Sequence, residues 1–429
     1  MIFPAIAGVL AGTILSGAVL GAALGLTGFM ILSYYGGNAT QRGMEAVWNI
    51  LTSFTLTSVP LFILLGDILV VSGLSRGIYQ AMAPLFSRLK GGLLHTNIAV
   101  CTLFGAVSGS SMSVAAAVGS VAYPELRDRG YDRSVVVGTL AAGGTLGLLI
   151  PPSLSLLIYG AITDTSIGKL FIAGIMPGLL MAALFMGVVF WSAHRNPGIA
   201  PENGEKVSLV DAILELRHIW PLLLMIFSVL GSLFAGLATP TEAAAVGVAA
   251  SIIMGITKGT LTPRKMLEAL ISTSRTFGVV AVVFIGAVIL AQAIQLIGLP
   301  QEILKAVSVW GISKYTMLIM IIIIYVILGC FFDGISMMIM TLPVVFPLMI
   351  GLGFDAIWLG IIITIMIEIG MLTPPVGMNL FVLSGITRGE VSLGEAARAA
   401  APFWMVMLVG VGILTAFPGI ATWLPQFVK

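Results

Sequence analysis

Two proline pairs, Pro151-Pro152 and Pro374-Pro375, each interrupt a long apolar run, and they stand 223 residues apart. Proline has no N–H and clashes with the preceding turn, so each pair ends a helix and frees backbone carbonyls amid apolar sequence. In a bilayer such carbonyls persist only where protein, water or an ion pairs them. The rest of the chain requires a bilayer: 59% of its 429 residues are hydrophobic and 9% charged, against about 25% charged in soluble domains. Apolar runs near the roughly 20 residues that cross a bilayer recur along its length, and the 51 glycines suit close helix packing in lipid. The expected fold class is an all-α polytopic membrane protein.

The spacing of the proline pairs belongs to an internal repeat. At the same shift Pro124 falls on Pro347, Gly130-Tyr131-Asp132 on Gly353-Phe354-Asp355, Gly147 on Gly370, Gly36 on Gly259 and Glu45 on Glu268. Glycine and proline fix backbone geometry, so these matches imply shared bends. Residues 1–35 are read as one long helix or two short ones, followed by a polar bend and a span over 46–73. An amphipathic arm over Arg76–Lys90 is expected to lie in the interface plane, with Tyr79, Met82, Leu85, Phe86 and Leu89 on its apolar side. A helical hairpin (93–125), a discontinuous helix (133–163) and a span (168–193) follow. His194–Arg217, with Pro197, Pro201 and Gly204, reads as a linker between halves. The second half gives spans over 219–237 and 241–257, a third ending near 297, an arm over Gln301–Gly311, a hairpin (314–350), a discontinuous helix (355–386) and a final span (401–424). This divides the chain into scaffold helices and arm (1–92), hairpin and broken helix (93–167), linker, scaffold and second arm (168–313), second hairpin and broken helix (314–387), and a C-terminal spanning segment (388–429).

The net charge of +2 says little; the positions of the basic residues say more. The positive-inside rule puts Arg76–Lys90, Arg127–Arg133, Arg195–Arg217, Lys258–Arg275 and Arg388–Arg398 in the cytoplasm. Arg42, Lys169, Lys305, Lys314 and Lys429 are left outside. The first hairpin then re-enters from the cytoplasm and the second from the opposite face, making the halves inverted repeats. The N-terminus has no basic region of the kind that precedes a cleaved leader.

Transporters place substrate and ion sites at such broken helices. Freed carbonyls and Ser/Thr hydroxyls are hard oxygen ligands suited to Na⁺, and helix N-termini suit an anionic group. The first hairpin tip offers Ser108, Gly109, Ser110, Ser111 and Ser113, and the first break Thr145, Ser153 and Ser155. The counterparts are Asp333, Gly334 and Ser336 at the second tip, with Thr373, Pro374, Gly377 and Asn379 at the second break. Any single serine or glycine here could simply pack helices; the four clusters together point to a site. Of the acids inside apolar runs, Glu242 beside Thr239-Pro240-Thr241 fits a helix cap, and Asp67 also suits a structural role. Asp333 and Glu368 stay open between structure and transport.

Other chemistries find little footing. Cys101 and Cys330 sit in apolar contexts that suit reduced packing residues. His95, His194 and His218 have no metal-ligand spacing, and no phosphate-binding loop for ATP hydrolysis is present. A serine hydrolase built on Ser110 would need a base at comparable depth, and the sequence offers none. No enzyme activity, cofactor or nucleic-acid partner is expected.

At this level of detail the sequence resembles the large membrane subunit of TRAP transporters (DctM type), within the ion-transporter superfamily. The matching segments are PLFILLGDIL (60–69), GAVSGSSMSVAAAVGS (105–120), GLLIPPSLSLLIYG (147–160), AGLATPTEAAAVG (235–247) and IEIGMLTPPVGMNLFVLSGI (367–386). Asp67 departs from the pattern, since the family more often has glutamate there. The resemblance implies an elevator-type secondary transporter in a bacterial or archaeal cytoplasmic (inner) membrane. It would be driven by Na⁺ and work with a small four-helix membrane subunit and a periplasmic substrate-binding protein. The spanning sequence starts at residue 1, so the small subunit is expected as a separate chain. Family substrates are organic acids such as C4-dicarboxylates and sialic acid. Carried over, the family's site falls on Ser108, Ser110, Ser111 and Ser153 on one side and Asp333, Gly334, Thr373 and Gly377 on the other. The alternative is a stand-alone proton- or Na⁺-coupled organic anion carrier, with Asp333 or Glu368 as its proton site.

Overall fold

The structure is a computed structural model and describes residues 8, 12–13, 18–35, 39–201 and 214–427. The expected helix or helices before residue 18, Gly36, the middle of the linker and Lys429 lie outside these. Among the described residues the chain is all-helical, with no strand. The first half carries α1 (Leu20–Tyr34), α2 (Thr40–Leu51), α3 (Ser58–Val71), α4 (Leu74–Phe86), α5 (Leu93–Ser108), α6 (Ser111–Asp128), α7 (Arg133–Thr145), α8 (Leu154–Thr163) and α9 (Ile167–Arg195). The second carries α10 (Trp220–Phe234), α11 (Pro240–Thr257), α12 (Pro263–Leu296), α13 (Leu299–Val309), α14 (Lys314–Gly329), α15 (Gly334–Gly351), α16 (Ala356–Leu372), α17 (Met378–Ile386), α18 (Leu393–Ala416) and the single turn α19 (Gly419–Thr422). Five of these, α9, α11, α12, α15 and α18, are each long and apolar enough to cross a membrane alone. Most of the others are shorter apolar helices that pair across turns and breaks.

Local chemistry sets most boundaries. Ser110, Asp132, Ser153, Asp333 and Asp355 each cap the helix that follows, accepting a backbone N–H three residues on. α11 and α18 begin with full capping boxes, Thr239 with Glu242 and Ser392 with Glu395. The acid of Glu242 accepts from the Thr239 amide at 2.8 Å, the structural role its position suggests. Asp67 accepts a 2.8 Å bond from the Thr273 hydroxyl, joining α3 to α12.

Three sequence boundaries shift. The span expected over 46–73 is two helices, because Ser and Thr hydroxyls at 52–58 take up local backbone partners and offer an alternative to the helix ladder. Ser53 accepts from Leu56 N, Ser58 donates to Thr55 O, and Thr241 of α11 donates to Phe54 O at 2.9 Å. α2 is amphipathic instead of spanning: Met44, Trp48 and Leu51 are exposed along one side while Gly43 packs on Leu32. The arm α4 buries Tyr79 and Met82 as expected, yet it ends at Phe86, so Leu89 falls off its apolar side and is 46% exposed. The final span begins at Leu393 and stops at Phe417-Pro418, not at 424.

The helices sort by packing. α12 lies along α1 and α3, and α11 lies against α3 and α10. This contact is backbone-close: a Cβ on Gly28 would sit 2.7 Å from Leu290 N. In the other group α7 packs on α5 and α6, α16 packs on α14 and α15, and α18 packs on α7, α9 and α16. The halves also exchange contacts, α8 packing on α15 and α17 on α6. A single fully buried apolar core runs through both groups.

Candidate functional site

α5 ends at Ser108, and Gly109 turns the chain at φ +61°, which a glycine adopts without strain. Ser110 then caps α6 by accepting from Ser113 N. This tip rests on the first break. A Cβ on Gly109 would lie 3.1 Å from Pro152 O and 3.3 Å from Leu154 N, and a Cβ on Gly147 would lie 3.0 Å from Gly105 Cα. Gly66 of α3 closes the tip from the other packing group, with its Cβ position 2.6 Å from Ser108 O.

In the second half the tip and break also pack closely. A Cβ on Gly370 would lie 2.7 Å from Gly329 Cα, and Val376 N donates to Cys330 O at 3.3 Å, holding the break against the tip. Both Pro-Pro bonds are cis. Asp333 at the second tip is half-buried and accepts from Ser336 N at 3.0 Å, with Gly334 buried beside Ile367. Gly377 adopts φ +48° between Thr373 O and Leu380.

Several expected ligands already have local bonds. Thr145 donates to Ala142 O at 2.8 Å, and Thr373 to Ile369 O at 2.6 Å. Ser153 donates to Leu148 O and accepts from Leu156 N. A hydroxyl that donates its proton to a carbonyl keeps its lone pairs, so these oxygens retain acceptor capacity. Pro374 is exposed at the break.

One contact joins the halves at the site: Asn379 Nδ2 donates to Ser111 Oγ at 2.6 Å and to Ala141 O at 3.0 Å. The second break is thereby tied to the first hairpin. Elsewhere in the two tips and breaks, Ser108 Oγ and Ser155 Oγ, like Asn379 Oδ1, are buried without hydrogen-bond partners among the described residues. Burying a polar atom unpaired is unfavourable, so such orphans mark places where a ligand, ion or water supplies the missing partner. Beside α8 a cavity of about 1030 Å³ opens between α2, α12 and the α8–α9 turn; Arg42, Asn49, Ser53, Asp164, Thr165 and Gln292 are among its lining residues.

Two polar ties escaped the sequence reading. Tyr79 of the arm donates to Asn97 Oδ1 at 3.2 Å, and Asn97 Nδ2 donates to Thr139 at 3.0 Å, all three residues being buried. A lone asparagine inside the apolar run 93–107 was the available signal. In the turn between α17 and α18, Glu390 accepts from Tyr123 at 2.9 Å and Arg127 at 3.0 Å and pairs with Arg133 at 3.6 Å. Tyr123 and its neighbours hold the Glu390 carboxyl below the usual carboxylate range. Tyr159 of α8 donates to Ala356 O at 2.7 Å.

The family model described as Tripartite ATP-independent periplasmic transporter, DctM component, matches residues 7–420. The chain belongs to this DctM family. Among curated DctM relatives it is 34% identical over 412 residues to the C4-dicarboxylate TRAP transporter large permease protein DctM of Pseudomonas aeruginosa, covering 94% of each chain. It is 32% identical to the ectoine/5-hydroxyectoine TRAP transporter large permease protein UehC of Ruegeria pomeroyi, covering 86% of each. Among solved structures the Alcanivorax borkumensis YdaH transporter aligns with a TM-score of 0.62 at 15% identity, over 90% of each chain, a likeness of fold. The chain is thus a TRAP transporter large permease subunit and a multi-pass membrane protein.

Proposed function

We propose that this permease imports an organic acid with Na⁺ across a bacterial or archaeal cytoplasmic membrane by an elevator movement. A periplasmic binding protein delivers the substrate, and a small four-helix subunit completes the membrane part. Its substrate is a carboxylate of the kind handled by its relatives, C4-dicarboxylate or ectoine among them. The mobile body comprises the two hairpins, the two broken helices and the spans α9 and α18 packed on them; α1, α3 and α10–α12 stay.

The observation that carries this reading is the Asn379–Ser111 bond between the halves, together with the unpaired buried oxygens of Ser108, Ser155 and Asn379 at the tips and breaks. The bond ties the second break to the first hairpin, in a body whose hairpin tips pack on their own breaks, so residues of both halves can contribute to one site. Ser108, Ser110, Ser111, Ser153, Ser155 and Asn379 hold the substrate's carboxylate. Na⁺ takes Ser108, Gly109, Ser111 and Thr145 at the first break, and Asp333, Gly334, Thr373, Pro374 and Gly377 at the second. Helix N-termini at α6, α8 and α17 favour the negative charge of the substrate, and carbonyls released by the prolines favour the cation.

The test is Na⁺-dependent uptake in proteoliposomes carrying Ser111→Ala or Thr373→Ala. Each substitution is expected to cut uptake at least tenfold and to raise the Na⁺ concentration needed for half-maximal rate. Unchanged Na⁺ dependence in both variants would refute the site.

A further inference from the structure

Glu368 lies within α16, five residues before Thr373, and is 0% exposed. Neither carboxyl oxygen has a hydrogen-bond partner among the described residues. The charged and titratable groups on the helices packed against α16 are all engaged elsewhere or placed at the ends. On α14, Lys314 sits over the Tyr315 and Phe354 rings near the start of α16, and Tyr325 is bonded to Thr341. Tyr159 of α8 donates to Ala356 O at that same end. On α9, Lys169 is in the first turn, His194 is exposed against Lys90, and Arg195 stacks on Trp191. Arg133 of α7 pairs with Glu390, while Glu395 and Arg398 of α18 are exposed and bonded within their own first turns. Asp355 and Asp333 cap α16 and α15. α17 and α19 carry no ionisable side chain.

An ionised carboxylate in this position would have no donor or counter-charge from the described residues, so the neutral acid is the form the packing accommodates. Such a group inside a transporter's moving core is a functional site by default. Its place is telling: at 1.5 Å rise per residue, five residues put Glu368 about 7.5 Å along the helix from the second break. A cation arriving there acts on the carboxyl through low dielectric, where an opposite charge favours ionisation.

We infer that Glu368 is an exchangeable-proton site whose proton yields to the coupling cation. The carboxylic O–H bond breaks, its electron pair stays on the carboxylate, and the proton passes to water admitted as the break opens. The cation then balances the charge that the proton balanced before. The exchange half of this inference rests on the Na⁺ reading above; the presence of the proton does not.

Infrared spectroscopy of the purified protein, with glutamate ¹³C-labelled at its carboxyl, tests the proton directly. At neutral pH the wild type is expected to show a protonated-carboxyl C=O stretch that shifts with the label and is missing from Glu368→Gln. No such band in the wild type, or the same band in Glu368→Gln, overturns the inference; should that variant not fold, Glu368→Asp takes its place, and a glutamate-labelled band that persists in it overturns the inference equally. Adding Na⁺ to nanodisc samples in weak buffer tests the exchange. The wild type is expected to release protons and Glu368→Gln none, while Na⁺ raises the Tm of both. Equal release from both overturns the exchange. If Na⁺ raises neither Tm, the Na⁺ reading fails and the exchange with it, while the infrared result stands by itself.

Discussion

The bond between Asn379 and Ser111 makes a quantitative prediction. Asn379→Ala removes two buried hydrogen bonds, at 2.6 and 3.0 Å, and Ser111→Ala removes one of the same two. Each such bond contributes a net 0.5–1.5 kcal/mol or so, giving about 1–3 kcal/mol for the pair lost with Asn379. Removing the unpaired Oδ1 offsets part of this, since an orphaned buried acceptor costs about 1–3 kcal/mol. Single-variant stabilities are therefore ambiguous, whereas the coupling between the two sites is not. A double-mutant cycle isolates the shared bond, expected at about 0.6–1.5 kcal/mol and within the span of roughly 0.6 on average to 1.7 at most for polar contacts inside membrane proteins. Unfolding in mixed detergent micelles measures all four proteins. If the two substitutions add within about 0.3 kcal/mol, the halves are not joined there and the two breaks do not form one site.

Two further perturbations follow from the packing. Gly370→Ala puts a Cβ 2.7 Å from Gly329 Cα, so overpacking of about 1–3 kcal/mol and loss of uptake are expected; Gly77→Ala in α4, with nothing within 4 Å, should leave both unchanged or raise Tm slightly. Glu390 has its carboxyl held below the usual range by the Tyr123 bond and by Arg127 and Arg133, so its stabilisation is complete above the ordinary glutamate value of about 4.3 and is lost as pH falls through the lower folded value. The Tm gap between wild type and Glu390→Gln should accordingly be constant near neutral pH and close in strong acid.

The hairpins and breaks were legible because their boundaries are written in residues with hard geometric demands. Gly109, Pro151-Pro152, Pro374-Pro375 and Gly377 leave the backbone few choices, and Asp132, Asp333 and Asp355 are efficient caps. The turn at 52–57 was not legible because TSFTLT contains no glycine or proline; its hydroxyls bend the chain only once Thr241 of α11 reaches Phe54 O, a contact 187 residues away. The same holds for Trp48 and Leu51, whose helical spacing reads equally well as part of a span. At the site, residue types could be listed but not their bonds. That Thr145, Ser153 and Thr373 satisfy local carbonyls while Ser108 and Ser155 stay unpaired depends on side-chain direction, and the pairing of Asn379 with Ser111 depends on how α17 crosses onto α6. Glu390 was hidden because its partners lie on the other half of the chain.

The most direct test of the central claim is substrate uptake into proteoliposomes holding this chain with its small subunit, measured with the binding protein outside and a Na⁺ gradient imposed or abolished. Uptake is expected only when binding protein and inward Na⁺ gradient are both present. Uptake that persists without either, driven by a proton gradient alone, would contradict it and identify a stand-alone carrier instead.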